Sequence, residues 1–64
     1  MTAREIFFEH TVLGRAAKCV AIDPVSGLEA AVTGPSSALA RDLERLALRA
    51  LERRLEREGR GAPK

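Results

Sequence analysis

The chain has no tryptophan, no tyrosine, two phenylalanines, one cysteine and one histidine among its 64 residues. A lone cysteine cannot close an intrachain disulfide, and one cysteine with one histidine cannot supply the ligand set of a structural zinc site from a single copy. A thiol without a disulfide partner suits a reducing compartment, so a cytoplasmic location is expected. No apolar run approaches the ~18 residues that span a bilayer, and the MTAREIFF start mixes charge with too short an apolar stretch for a secretory signal. No membrane role is expected.

The shortage of aromatics also leaves little bulky material for a core. A domain of this size buries only about 60% of the surface its unfolded chain exposes, and without disulfides or metal such scaffolds commonly need a partner. Self-association is thus a prior before any motif is read. Eleven basic against nine acidic residues leave a net charge of +2, which is not that of a polycation. Arginine supplies most of the basic residues and accompanies abundant alanine and glycine, the pattern of a GC-rich codon supply, and that dilutes its value as a nucleic-acid signal.

What the chain does contain is a clear succession of elements. From Glu5 to Leu13, β-branched and aromatic residues alternate with Glu5 and Glu9 as a strand would require. Gly14-Arg15 fits a two-residue turn with glycine at the position of positive φ. Ala16–Asp23 then reads as a second strand. Asp23-Pro24-Val25-Ser26-Gly27 is the best local signal: Asp caps the turn, Pro presets φ, and Gly takes the left-handed residue. A third strand follows from Leu28 to Thr33, ending at Gly34-Pro35.

Folding about the two turns sets Val12 opposite Ala17, His10 opposite Cys19, Phe8 opposite Ala21, Ala21 opposite Ala30 and Cys19 opposite Val32. One face then carries Ile6, Phe8, His10, Val12, Ala17, Cys19, Ala21, Leu28, Ala30 and Val32, and its small central residues invite a closely packed helix. The other carries Phe7, Leu13, Val20, Ile22 and Ala31 mixed with Glu9, Thr11, Lys18, Glu29 and Thr33.

Ser36 or Ser37 is the expected cap of a helix running to about Glu58, since strong helix formers fill the segment without Gly or Pro. Its leucines and alanines sweep roughly 200°, about twice the stripe that one buried face requires. Leu39, Leu43, Leu46, Ala47 and Ala50 are the side expected to dock on the sheet, with Leu48, Leu51 and Leu55 left as a second leucine edge. The predicted organisation is one βββα domain over residues 1–58 and a Gly/Pro-rich disordered tail over 59–64. The fold class is α+β: a three-stranded antiparallel meander in order 1-2-3 with one long C-terminal helix on one face.

The AIDPVSGLEAAVTGP segment, Ala21–Pro35, with the strand before it and the SSALARDLERLALRAL helix after it, resembles a family of short uncharacterised proteobacterial proteins. The resemblance implies a β-meander followed by one helix and carries no catalytic or ligand residues onto this chain.

Several side chains could bear chemistry. His10 and Cys19 are cross-strand neighbours, and an imidazole can activate a thiol; both point into the face the helix is expected to cover, where they read as packing residues. Glu5, Glu9 and Glu29 have no companions at a spacing for paired acid/base work. The glycines match neither a dinucleotide fingerprint nor a phosphate loop. No cofactor, metal or enzymatic activity is expected. Arg41, Arg45, Arg49 and Arg53 recur at i+4 and form one row that could follow nucleic-acid phosphates, although Asp42, Glu52 and Glu56 intrude on it and no Trp or Tyr is present for stacking. The expected function is therefore that of a cytoplasmic, non-enzymatic assembly module, a homodimer or the binder of another protein. Its candidate interfaces are Leu48, Leu51 and Leu55 on the helix, which are preferred, and Phe7, Val20 and Ile22 on the second sheet face. A nucleic-acid-binding module led by the arginine row is the alternative.

Overall fold

The computed structural model describes residues 5–61, so the first and last few residues of the expected domain and tail, 1–4 and 62–64, lie outside the described residues. Three strands, β1 (Phe7–Leu13), β2 (Ala16–Ile22) and β3 (Glu29–Pro35), precede one helix, α1 (Ala40–Gly61). The strands pair antiparallel in the order β1-β2-β3. The fold is the expected α+β meander with a C-terminal helix.

Both turns form where their residue types place them, and with them the register. Gly14 has φ 60° and Arg15 a negative φ, the pattern of a type II′ turn, and it joins Leu13 to its partner Ala16. In the second turn the Asp23 carboxylate accepts the Val25 N–H at 3.1 Å and the Ser26 hydroxyl at 2.9 Å. The Ser26 Oγ accepts from the Leu28 N–H, and Gly27, at φ 79°, donates its N–H to the Asp23 carbonyl at 2.8 Å. Asp23 is fully buried, and these bonds compensate a carboxylate that burial alone would penalise. Every cross-strand pair expected from the turns is present, His10 opposite Cys19 and Ala21 opposite both Phe8 and Ala30 among them.

Strand ends and helix ends differ from the expected ones. β3 extends through Gly34-Pro35, because its ladder with β2 continues to the Ala16–Pro35 pair. Neither Ser36 nor Ser37 caps the helix: the Ser36 N–H donates to the Arg15 carbonyl at 2.7 Å, which ties this segment to the first hairpin, and the Ala38 N–H closes a turn on the Pro35 carbonyl. The helix starts on the Leu39 carbonyl instead, which accepts from Asp42 and Leu43, while Asp42 places negative charge in the first turn, where the helix dipole favours it. At the other end α1 runs to Gly61, three residues past Glu58.

The core is small. Ala17, Cys19 and Ala21 of β2 meet Leu43, Ala47 and Leu51 of α1, with Ile6, Phe8, Leu28, Ala30, Val32, Ala38 and Leu55 packed around them. The small residues of β2 let the helix lie close to the sheet. A Cβ added to Gly34 would stand 3.1 Å from Leu43 Cδ2, which shows how tight the contact is where the helix begins.

The docked side of the helix shares Leu43 and Ala47 with the expected one but not Leu39 and Leu46. Leu43, Ala47 and Leu51, one i+4 row, lie against the sheet with Leu55 continuing it, whereas Leu39 and Leu46 are 55% and 51% exposed. Leu51 is fully buried within the single chain and is therefore no part of a free leucine edge. The reason is rotational. An apolar arc of roughly 200° allows several docking phases, and the helix seats the middle of the arc on the sheet, leaving a flank on each side.

Candidate functional site

The geometry of the sheet decides what remains open. A helix is about 10 Å across and strands are spaced about 4.8 Å apart, so one helix covers about two strands. Here α1 packs on β2 and β3. On the helix side of β1, Phe8 is only half-buried and Val12 is 62% exposed. The sequence expectation that the helix covers the whole face leaves out its width, which is the signal that β1 stands clear of it.

Beside this uncovered strip sits the Cys-His neighbourhood. His10 Nε2 lies 2.7 Å from Glu44 Oε2 and 3.9 Å from Cys19 Sγ. One nitrogen thus faces both the carboxylate and the sulfur. A relay of the triad type needs the imidazole to use its two nitrogens on different partners. Burial, and then the Glu44 charge, push the Cys19 thiol up from its ordinary value, which holds the sulfur in its neutral form. Glu9 and Glu29 are exposed on the open side of the sheet and Glu5 precedes β1. Among the described residues no group of three or more His, Cys, Asp or Glu is placed to hold a metal ion. Nor is any helix among them long and apolar enough to cross a membrane.

Arg41, Arg45, Arg49 and Arg53 are all exposed on the outer side of α1. Acids interleave with them: Arg45 Nη2 stands 3.6 Å from Asp42 Oδ1, and Arg49 and Arg53 share an open depression with Glu52 and Glu56. Arg54 has a different position, its Nη1 donating to the Glu29 carbonyl at 2.9 Å. It lies within the apolar arc, about 20° around the helix from Leu43 at 100° per residue, so its stem crosses β3 and its head reaches the far edge. A charged residue inside an apolar arc was the signal for this contact.

Of the sequence-predicted interface residues, Leu55 is half-buried against the core, Leu48 is half-buried and Leu51 is enclosed. Phe7, Val20 and Ile22 do share the sheet face opposite the helix, with Phe7 directly across from Ile22. Phe7 is 49% exposed, and Leu13 on the same face is 74% exposed.

A family described as Domain of unknown function (DUF6898) matches residues 3–58. The chain belongs to this family. The match runs from just before β1 to near the end of α1, so the domain of this family is the whole meander-and-helix unit. No curated protein and no solved structure gives a significant match.

Proposed function

We propose that this member of the family is a cytoplasmic, non-enzymatic interaction module that assembles as a homodimer. One observation carries the reading. The core encloses two large apolar side chains, Leu43 and Leu51, while Phe7, Val12, Leu13, Val25, Leu39 and Leu46 are exposed. Among the described residues, fewer large apolar side chains are fully enclosed than are left exposed, an imbalance that association with a further chain relieves in a small domain lacking a disulfide. Phe7 and Leu13 on the open sheet face belong to this surface; the helix edge centred on Leu51 does not. Sedimentation velocity across a wide concentration range tests the reading: a mass twice that of the 6.9 kDa chain, reached at micromolar concentration, is expected. A monomer at every concentration overturns it.

The exposure of Arg41, Arg45, Arg49 and Arg53 on one side of α1 supports a second reading, a weak nucleic-acid-binding module. Its electrostatic term would be steeply salt-dependent. Fluorescence anisotropy of labelled RNA and DNA at low and moderate salt separates the two, since a homodimer without salt-sensitive nucleic-acid binding leaves only the first.

A further inference from the structure

The two edges of this sheet are not alike. The Asp23 N–H donates to the Leu28 carbonyl, so the backbone groups of Asp23 face β3. Groups alternate along a strand, so Ile22, Val20, Lys18 and Ala16 direct theirs to β1, where Phe7, Glu9, Thr11 and Leu13 are their partners. That leaves the N–H and C=O groups of Phe8, His10 and Val12 pointing out along the free edge of β1. On β3 the outward residues are Glu29, Ala31, Thr33 and Pro35 by the same alternation. That edge is blunted: the Glu29 carbonyl is taken by Arg54, and Pro35 has no N–H to offer. Among the described residues, no hydrogen bond from another element reaches the outward backbone of β1.

The sequence of the open edge is symmetric about its middle. β1 reads Phe7-Phe8-Glu9-His10-Thr11-Val12-Leu13, two apolar residues, three polar ones and two apolar ones. We infer that a second copy of the chain pairs with β1 antiparallel about a two-fold axis at His10, joining the two meanders into one six-stranded sheet. This rests on the homodimer reading and names its surface.

The register follows from the outward groups. They belong to Phe8, His10 and Val12, so the hydrogen-bonded pairs are Phe8 with Val12 of the second copy, His10 with His10, and Val12 with Phe8, about six N–H···O=C bonds in all. The same register sets Phe7 across from Leu13 on the open face. Each exposed apolar residue of the strand thus meets an apolar partner, and three of the exposed large apolar side chains, Phe7, Val12 and Leu13, are covered at once. A slip by two residues along the edge would set Phe8 or Val12 against a His10 and leave one apolar end unpaired. The two-fold axis is normal to the sheet, so both helices lie on one side of it. Each α1 packs on its own β2 and β3, which keeps it clear of the new seam. Each His10 keeps its own Glu44 carboxylate.

Cysteine cross-linking reads this register directly, in a Cys19→Ala background because Cys19 lies opposite position 10 within the chain. Hydrogen-bonded antiparallel partners have Cα atoms about 5.5 Å apart, inside the range a disulfide bridges. His10→Cys is expected to form a disulfide dimer under oxidised glutathione. Phe8→Cys and Val12→Cys are each expected to stay uncross-linked alone, since equivalent positions lie about 13 Å apart along the strands, and to cross-link when mixed. Val12→Lys, with its fold checked by circular dichroism, is expected to weaken dimerisation at least about tenfold, whereas Val20→Lys on the open face leaves it within about twofold. Should the chain sediment as a dimer while His10→Cys fails to cross-link and Val20→Lys dissociates it, the edge is wrong and the homodimer stands on the sheet face. A chain that is monomeric throughout overturns both, and leaves the open edge to a strand from another protein.

Discussion

His10 on the edge strand and Glu44 on the helix meet at 2.7 Å between Nε2 and Oε2, a link from β1 to an element that otherwise lies over β2 and β3. The two side chains retain 35% and 38% of their exposure, so water screens the pair and its contribution is modest. A double-mutant cycle with His10→Gln and Glu44→Gln, read by urea unfolding, is expected to give a coupling of about 0.2–1 kcal/mol. A coupling indistinguishable from zero would mean that the contact does not hold β1 to the helix.

The position of the helix about its own axis predicts a contrast between two leucines. Leu51 is fully buried and Leu46 half exposed. Leu51→Ala is expected to lose about 2–5 kcal/mol, enough to unfold a substantial fraction of so small a domain, while Leu46→Ala stays within about 0.5 kcal/mol of the parent. Denaturant midpoints compare them, and equal losses would place the docked side elsewhere.

Asp23 makes a prediction about the second hairpin. Its carboxylate accepts from Val25 N–H and Ser26 Oγ, and the Ser26 hydroxyl in turn holds Leu28. Asp23→Ala removes the acceptor and leaves donors short of partners, at about 1–3 kcal/mol for a buried group. Asp23→Asn keeps one carbonyl oxygen for the Val25 N–H and is expected to lose less. Thermal unfolding ranks the two, and equal losses would show that the charge, absent from both variants, rather than the hydrogen bond matters in the turn.

The Cys19 thiol sets an alkaline limit. Its folded pKa lies above the ordinary 9.0, through burial first and the Glu44 charge second. The folded state therefore holds its proton where the unfolded state has lost it, so stability is fully present below 9.0 and falls as pH rises through the folded value. Urea midpoints measured from neutral pH upward are expected to decline more steeply for the parent than for Cys19→Ala. Iodoacetamide is expected to modify Cys19 slowly in the native protein and fast in urea; rapid native modification near neutral pH would show an accessible, activated thiol.

The register of the sheet is legible in the sequence because each turn has only one arrangement its residues favour. Gly14 takes the positive φ of a two-residue turn, and Asp23, Pro24 and Gly27 each serve one position of the longer one; once both are placed, alternation assigns every side chain to a face. The phase of the helix was not legible in the same way. Leucine and alanine fill so wide an arc that docked sides centred near Leu43 and near Ala47 are near-equivalent, and the tie is broken by long-range contacts, Glu44 to His10 on one flank and Arg54 to Glu29 on the other. The helix start is hidden in the sequence for a related reason. Ser36 has the chemistry of a cap, but its backbone is already committed to Arg15 in the first hairpin.

The small residues of β2 have a bearing on how the chain folds. Neighbouring strands are neighbours in sequence, so the meander forms from two hairpins, events of about 1–10 μs each, before the helix that follows them has anything to dock on. In that interval the face destined for α1 is bare. Alanine and cysteine at Ala17, Cys19, Ala21 and Ala30 present far less apolar area than leucine or phenylalanine would, so the half-built protein has a less adhesive face during the step when small sheets are most prone to aggregate.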